Sequence, residues 1–178
     1  KLITPLTAEE QKTGQVKQDL GPETYTGTPD ELQKLFLEKR YTDFLPVVLP
    51  TDDKVAEMLK FTSHDPNEVL GKMNPGSEAG DYWTYTVKDA AVSAVMAGAK
   101  PAYFPAILAG LRGILDPSYN LHGTMATTHP CAPMVMINGP ARLELGVNCG
   151  GNCFGQGFRA NAAIGRAIGL ILRNVGGG

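Results

Sequence analysis

Four glycines fall within ten residues in Asn148-Cys-Gly-Gly-Asn-Cys-Phe-Gly-Gln-Gly157, and this density constrains the chain more than any other feature. Glycine loses the most backbone freedom on ordering, so the segment cannot hold a helix and must be a tight irregular loop. Apolar residues at helical spacing resume at Arg159 and run to about Asn174, which predicts that the loop opens directly into a final helix. Cys149 and Cys153 therefore project from one loop, at a helix N-terminus whose free N–H groups and dipole favour anions and thiolates.

The remaining punctuation predicts a mixed α/β fold, a single compact domain over 29–178 with several helices packed on a small sheet. Residues 1–28 are polar and turn-rich and read as an irregular N-terminal arm. Thr28-Pro29-Asp30-Glu31 predicts a helix start, with a capping threonine, proline in the first turn and two acids complementing the dipole. Thr51-Asp52-Asp53 announces a second helix. Thr86-Val-Lys-Asp89 announces a third as a capping-box variant, and Gly98 before Lys100-Pro101 stops it. A fourth is expected from about Pro105 to Leu115. Phe44–Leu49 and Met134–Ile137 are the expected strands, and residues 63–80, rich in Pro, Gly, Asn and Asp, read as a long connection.

Composition removes several function classes. Net charge is −2, which argues against nucleic-acid binding through a basic, phosphate-neutralising surface. No apolar run approaches the roughly 20 residues of a membrane span, and the opening residues carry no signal-peptide pattern. The 3 cysteines are an odd set confined to the last third. This is unlike a secreted disulfide scaffold and points to a reducing cytoplasm.

The chemistry-bearing residues lie between His122 and Arg159. Thiolates ligate zinc and iron and also act as nucleophiles and redox centres, although a free cysteine can equally be a small buried hydrophobe. Cys131, in Thr127-Thr-His-Pro-Cys-Ala-Pro133, is braced by prolines. Were it to meet the loop, Cys131, Cys149 and Cys153 could hold a metal ion or iron–sulfur cluster with one position open. The Cys-x-x-x-Cys spacing is not that of a zinc ribbon, and Gln156 stands where a radical SAM pattern would need a third cysteine.

His122 and His129 flank a threonine-rich stretch and can serve as ligand, acid or base, or sit on the surface. His129 is the stronger of the two, because an extended segment would place it on the same side as Cys131. Gly155-Gln-Gly157-Phe-Arg-Ala160 matches a dinucleotide fingerprint in letters. Neither the preceding strand nor a following acid is in place, so only a simpler anion site survives, formed by helix amides near Gly155 and Gly157 with Arg159. The small residues Ala160, Ala162, Ala163, Gly165, Ala167 and Gly169 predict close packing of the final helix.

Five phrases, taken in order, resemble a known group. They are Leu45-Pro-Val-Val-Leu-Pro-Thr51, Ala94-Val-Met-Ala-Gly98 with Tyr103-Phe-Pro105, Thr127-Thr-His-Pro130, Ile137-Asn-Gly-Pro140 and Arg159-Ala-Asn-Ala-Ala-Ile-Gly-Arg166. Together they are similar to bacterial proteins related to the UGSC-type (seleno)protein family, over roughly residues 30–178. The Sec-Gly-Ser-Cys motif itself has no equivalent here, so no selenol role transfers. The relatives continue past Gly176-Gly-Gly178, and the resemblance therefore implies a processed chain or one subunit of a larger assembly.

Three functions stay open at this point. The leading expectation is an enzyme or enzyme subunit with a metal or iron–sulfur centre on Cys131, Cys149 and Cys153. His129 or His122 would be its acid/base, and Arg159 would anchor a small anionic substrate for redox or lyase-type chemistry. The second is a cofactor-free thiol/disulfide oxidoreductase using Cys149 and Cys153. The third is a non-catalytic subunit of a hetero-oligomer, docked through the Gly/Ala-rich helix; on any of the three readings a homo- or hetero-oligomer is the expected assembly.

Overall fold

A computed structural model of the chain describes residues 24–73 and 83–176. The expected arm therefore falls largely outside the described residues, as do Gly177 and Gly178. The described residues form a compact mixed α/β domain. In chain order they build α1 (Pro29–Glu38), α2 (Asp52–Leu59), β1 (Val69–Met73), β2 (Trp83–Thr86), α3 (Val87–Met96) and α4 (Phe104–Leu115). Then follow α5 (Leu121–Ala126), α6 (Pro140–Glu144) and α7 (Arg159–Gly176), with short 3-10 turns at Pro101–Tyr103 and Pro117–Tyr119.

The helix starts follow from side-chain chemistry. At α1 the Thr28 hydroxyl accepts from the Glu31 N–H, and the Glu31 carboxylate accepts from the Thr28 N–H at 2.8 Å. The same reciprocal box at α3 uses Thr86 and Asp89. Each satisfies two backbone donors that a bare helix end would leave open. Helix α3 ends at Gly98, whose φ of +74° is a left-handed conformation that glycine adopts without strain.

Helix α3 is the centre of the molecule. Val87, Ala90, Ala91, Ser93, Ala94, Val95 and Met96 are all buried, and the helix packs against α2, α4, β2 and, most extensively, α7. On α7 the buried face is Ala160, Ala163, Ile164, Ala167, Ile168 and Ile171, at the three- and four-residue spacing of one helical side. The buried alanines at 160, 163 and 167 are the small residues that lie in the core. Gly165 and Gly169 are exposed, and a Cβ on either would meet nothing within 4 Å, so these glycines do not serve the close packing expected of them. The larger buried side chains, Ile107, Leu111, Leu170 and Ile171 among them, contribute about 1.5–3 kcal/mol each of transfer free energy.

Both expected strands fail to join a sheet, for different reasons. In the 44–49 segment the Gln33 carboxamide takes the place of a partner strand, accepting from the Val47 N–H at 3.3 Å and donating to its carbonyl. The Val48 N–H donates instead to the Met96 carbonyl at the end of α3. Residues 132–138 alternate between exposed and half-buried as a strand would, yet the described sheet is β1–β2 alone. That sheet is antiparallel, with an irregularity between Val69 and Gly71, and its first strand lies within the stretch expected to be a connection. Gly71 is required there by close approach: a Cβ would sit 2.7 Å from the Leu115 Cβ, and β1 packs on α4.

Polar ties brace the outside. The Arg166 guanidinium on α7 donates twice to the Asp43 carboxylate, both at 2.8 Å, and once to the Pro46 carbonyl. Asn174 donates to the Tyr41 carbonyl. Elsewhere Glu68 joins two side chains, accepting from Arg112 at 2.7 Å and pairing with His64 Nδ1 at 2.8 Å. Buried Tyr85 stays neutral, because burial pushes its phenol up to about 12. The Arg166 hydrogen bonds, outweighing partial desolvation, hold the Asp43 carboxyl below its ordinary value. A carboxyl depressed in the folded state adds stability above its unfolded pKa of about 3.9 and loses it as pH falls through the folded value. Asp43→Asn is therefore expected to lower the denaturation midpoint at pH 7 and to match the parent chain progressively more closely below about pH 3.9. A midpoint difference constant from pH 7 down to pH 2 contradicts this assignment.

Candidate functional site

The cysteine loop spans residues 145–158, between α6 and α7, and asparagines set its shape. Asn161, in the first turn of α7, accepts from the Asn148 N–H at 2.9 Å and donates through Nδ2 to the carbonyls of Asn148 at 2.9 Å and Cys153 at 3.0 Å. One carboxamide thus ties both ends of the Cys149–Cys153 loop to the helix buried against α3. Within the loop, the Asn148 side chain accepts from the Gly150 N–H and donates to the Gly151 carbonyl. Asn152 takes a left-handed conformation with φ of 61° and donates to the Gln156 carbonyl. Asparagine suits both tasks, since it tolerates that backbone region and bonds locally to the main chain.

The glycines serve this geometry. A Cβ at Gly155 would fall on the Asn152 carboxamide, and Gly157 enters α7 with φ of +108°. These two glycines, expected at an anion site, are accounted for by the turn itself.

Cys149 and Cys131 are exposed and Cys153 is half-buried; all three are free thiols. The Cys149 sulfur has a specific partner: the Arg142 guanidinium on α6 donates to Sγ through Nη1 at 3.1 Å. A guanidinium has donors and no lone pair available to accept, so the sulfur is the acceptor. An exposed thiol beside a fixed cation is the setting in which cysteines act as nucleophiles, because the thiolate is the reactive form.

The other expected residues lie apart from this pair in role. Arg159 donates from Nε and Nη2 to the Gly98 carbonyl, at 3.1 and 2.9 Å, and so caps the C-terminal end of α3. The guanidinium expected to anchor an anion is thus engaged with the main chain in this structure. His122 is exposed on α5 and His129 is exposed in the segment after it. The Cys131 N–H donates to the His129 carbonyl at 2.7 Å, so a tight three-residue turn stands where an extended segment was expected to align the two side chains. Among the described residues, no three His, Cys, Asp or Glu side chains gather in a way that could hold a metal ion.

Two residues that matter most here, Arg142 and Asn161, were not singled out by sequence reasoning. Asn161 carried a faint signal, as an asparagine one turn into a helix that follows an asparagine- and glycine-rich loop. Arg142 carried none, because its role depends on α6 folding back beside the loop. No helix among the described residues is long and apolar enough to cross a membrane. Comparison with family models, with curated proteins and with solved structures finds no match to this chain.

The clamp makes a local prediction. Asn161→Ala removes three hydrogen bonds to the loop, each worth about 1 kcal/mol net. Native-state amide exchange should show protection at Asn148 reduced by roughly one to two orders of magnitude, as 1.4–3 kcal/mol implies, with α7 protected as before. Unchanged exchange at Asn148 would mean that the carboxamide does not hold the loop.

Proposed function

We propose that this chain is a thiol/disulfide oxidoreductase, or the redox subunit of one, in which Cys149 attacks and Cys153 resolves. The observation that carries this reading is the exposed Cys149 sulfur held by the Arg142 guanidinium at 3.1 Å. Cys149 is accessible to a partner disulfide, whereas Cys153 is half-buried on the loop whose backbone Asn161 ties down. Gly150 and Gly151 lie between them, and their backbone freedom supports the approach of the two α-carbons to within about 7 Å that a disulfide requires.

The chemistry balances within the chain and a substrate disulfide. The Cys149 thiolate attacks one sulfur of the substrate, a mixed disulfide forms, and the other substrate sulfur leaves as a thiolate. Cys153, as thiolate, then attacks the Cys149 sulfur. The second substrate thiolate departs and an intramolecular Cys149–Cys153 disulfide remains. The protein dithiol is oxidised by two electrons, and the substrate disulfide is reduced to two thiols. Arg142 orients the Cys149 sulfur for attack through its 3.1 Å hydrogen bond. A small-molecule disulfide is the substrate class that an exposed surface loop of this kind accommodates.

Mild oxidation followed by mass spectrometry tests the pair directly. The expected product is the Cys149–Cys153 disulfide, with Cys131 still open to alkylation. In the reduced chain Cys149 should alkylate fastest of the three, and Arg142→Gln should slow it several-fold while leaving Cys131 unchanged. If Cys149 and Cys153 stay separately alkylatable after oxidation, the proposal fails.

A further inference from the structure

Of the asparagines in the chain, Asn138 alone is followed by glycine. The carboxamide carbon of an asparagine can be attacked by the main-chain nitrogen of the next residue, which closes a five-membered imide. A side chain on that next residue hinders the approach, and a proline nitrogen has no proton to lose. Asn67, Asn120, Asn148, Asn152, Asn161 and Asn174 precede residues with side chains, and Asn74 precedes Pro75. Glycine at 139 removes the hindrance and adds backbone freedom.

The fold separates Asn138 from the others a second time. The carboxamides of Asn120, Asn148, Asn152, Asn161 and Asn174 are committed to a helix cap, to the cysteine loop or to the Tyr41 carbonyl. Asn138 is exposed, and among the described residues neither its carboxamide nor the Gly139 N–H has a hydrogen-bond partner. The attacking nitrogen and the carbon it attacks are thus both untied. Gly139 sits at φ +71° and ψ −160°, a region that glycine alone enters readily, and a Cβ there would meet nothing within 4 Å. The turn into α6 therefore requires glycine at the position that leaves Asn138 open to attack.

We infer that Asn138–Gly139 is a site of spontaneous deamidation, with water as its co-reactant and isoaspartate as its main product. The Gly139 nitrogen, its proton lost to solvent base, attacks Asn138 Cγ; the new C–N bond forms and the carboxamide nitrogen leaves as ammonia. Water then opens the imide. Addition at Cγ breaks the new bond and leaves aspartate in a normal main chain. Addition at the main-chain carbonyl breaks the original peptide bond and leaves isoaspartate, with the chain rerouted through Cβ and Cγ. One amide becomes one carboxylate, water is consumed, ammonia is released and nothing is oxidised. Isoaspartate lengthens the main chain by one methylene. Ile137 and Leu145 both pack against the core, so the added length is taken up between them, in the stretch that includes α6. Arg142 lies there, and its 3.1 Å bond to the Cys149 sulfur is broken in the isoaspartyl chain.

The intact chain is incubated at mildly alkaline pH beside the capped peptide of residues 135–142. Both are then mapped by mass spectrometry, with chromatographic separation of the aspartyl and isoaspartyl forms. The intact chain should convert Asn138 within several-fold of the peptide's rate, mainly to isoaspartate, with the other asparagines unchanged. Asn138→Gln should abolish conversion at this position. The isolated isoaspartyl chain should alkylate at Cys149 at the rate of the Arg142→Gln chain. Asn138→Asp, which adds the charge without the extra methylene, should alkylate at the parent rate. Conversion many-fold slower in the intact chain than in the peptide overturns the inference, as does conversion of another asparagine before Asn138. A parent-like Cys149 rate in the isoaspartyl chain overturns the coupling to Arg142.

Discussion

The packing of α7 on α3 is the contact on which the rest depends. Small buried residues lie at 160, 163 and 167 on one helix and at 90, 91 and 94 on the other, and no other pair of helices packs so extensively among the described residues. Once α7 is seated, its polar side chains fall at fixed points around the molecule. Arg159 reaches the Gly98 carbonyl at the end of α3. Asn161 reaches the cysteine loop, and Arg166 reaches Asp43 and Pro46. The core contact thus provides precision to three surface features, and a polar tie with little net strength in water becomes positional information.

The candidate site shows the same division of labour. Its backbone is held by asparagine carboxamides, which use neutral hydrogen bonds to fix a loop that its glycines would otherwise leave free. The one charged contact, from Arg142, is reserved for the sulfur. A loop held in this way can present Cys149 to solvent while keeping Cys153 within the same turn. An ordinary structural thiol would need none of this apparatus, since burial alone satisfies it.

What could be read beforehand follows the range of the interaction. Helix starts at Thr28 and Thr86 were legible because the capping chemistry is contained within four residues, and Gly98 ended α3 as its position implied. The loop between Asn148 and Gly157 was legible for the same reason, because glycine density is a local property. Pairing was not. The alternation in Met134–Ile137 marks a strand but cannot name its partner, and in this fold no described strand lies beside it. In the 44–49 run a glutamine side chain, fourteen residues away, occupies the place of a neighbour. Sheet β1–β2 was missed because a five-residue strand containing Gly71 and Lys72 looks like a connection until Leu115 lies against it. The bond from Arg159 to Gly98 was not legible because its partner carbonyl is 61 residues distant.

The central claim is that Cys149 and Cys153 act as an ordered pair, and trapping the intermediate tests it most directly. A chromogenic aromatic disulfide is mixed with the reduced chain, and the thiolate released is counted over time while the products are mapped. The parent chain should release a second thiolate as the Cys149–Cys153 disulfide forms. Cys153→Ser should release one and accumulate a stable mixed disulfide at Cys149, and Cys149→Ser should react slowly. Equal labelling of Cys131, Cys149 and Cys153, with no second thiolate released beyond one for each labelled cysteine, would contradict the account.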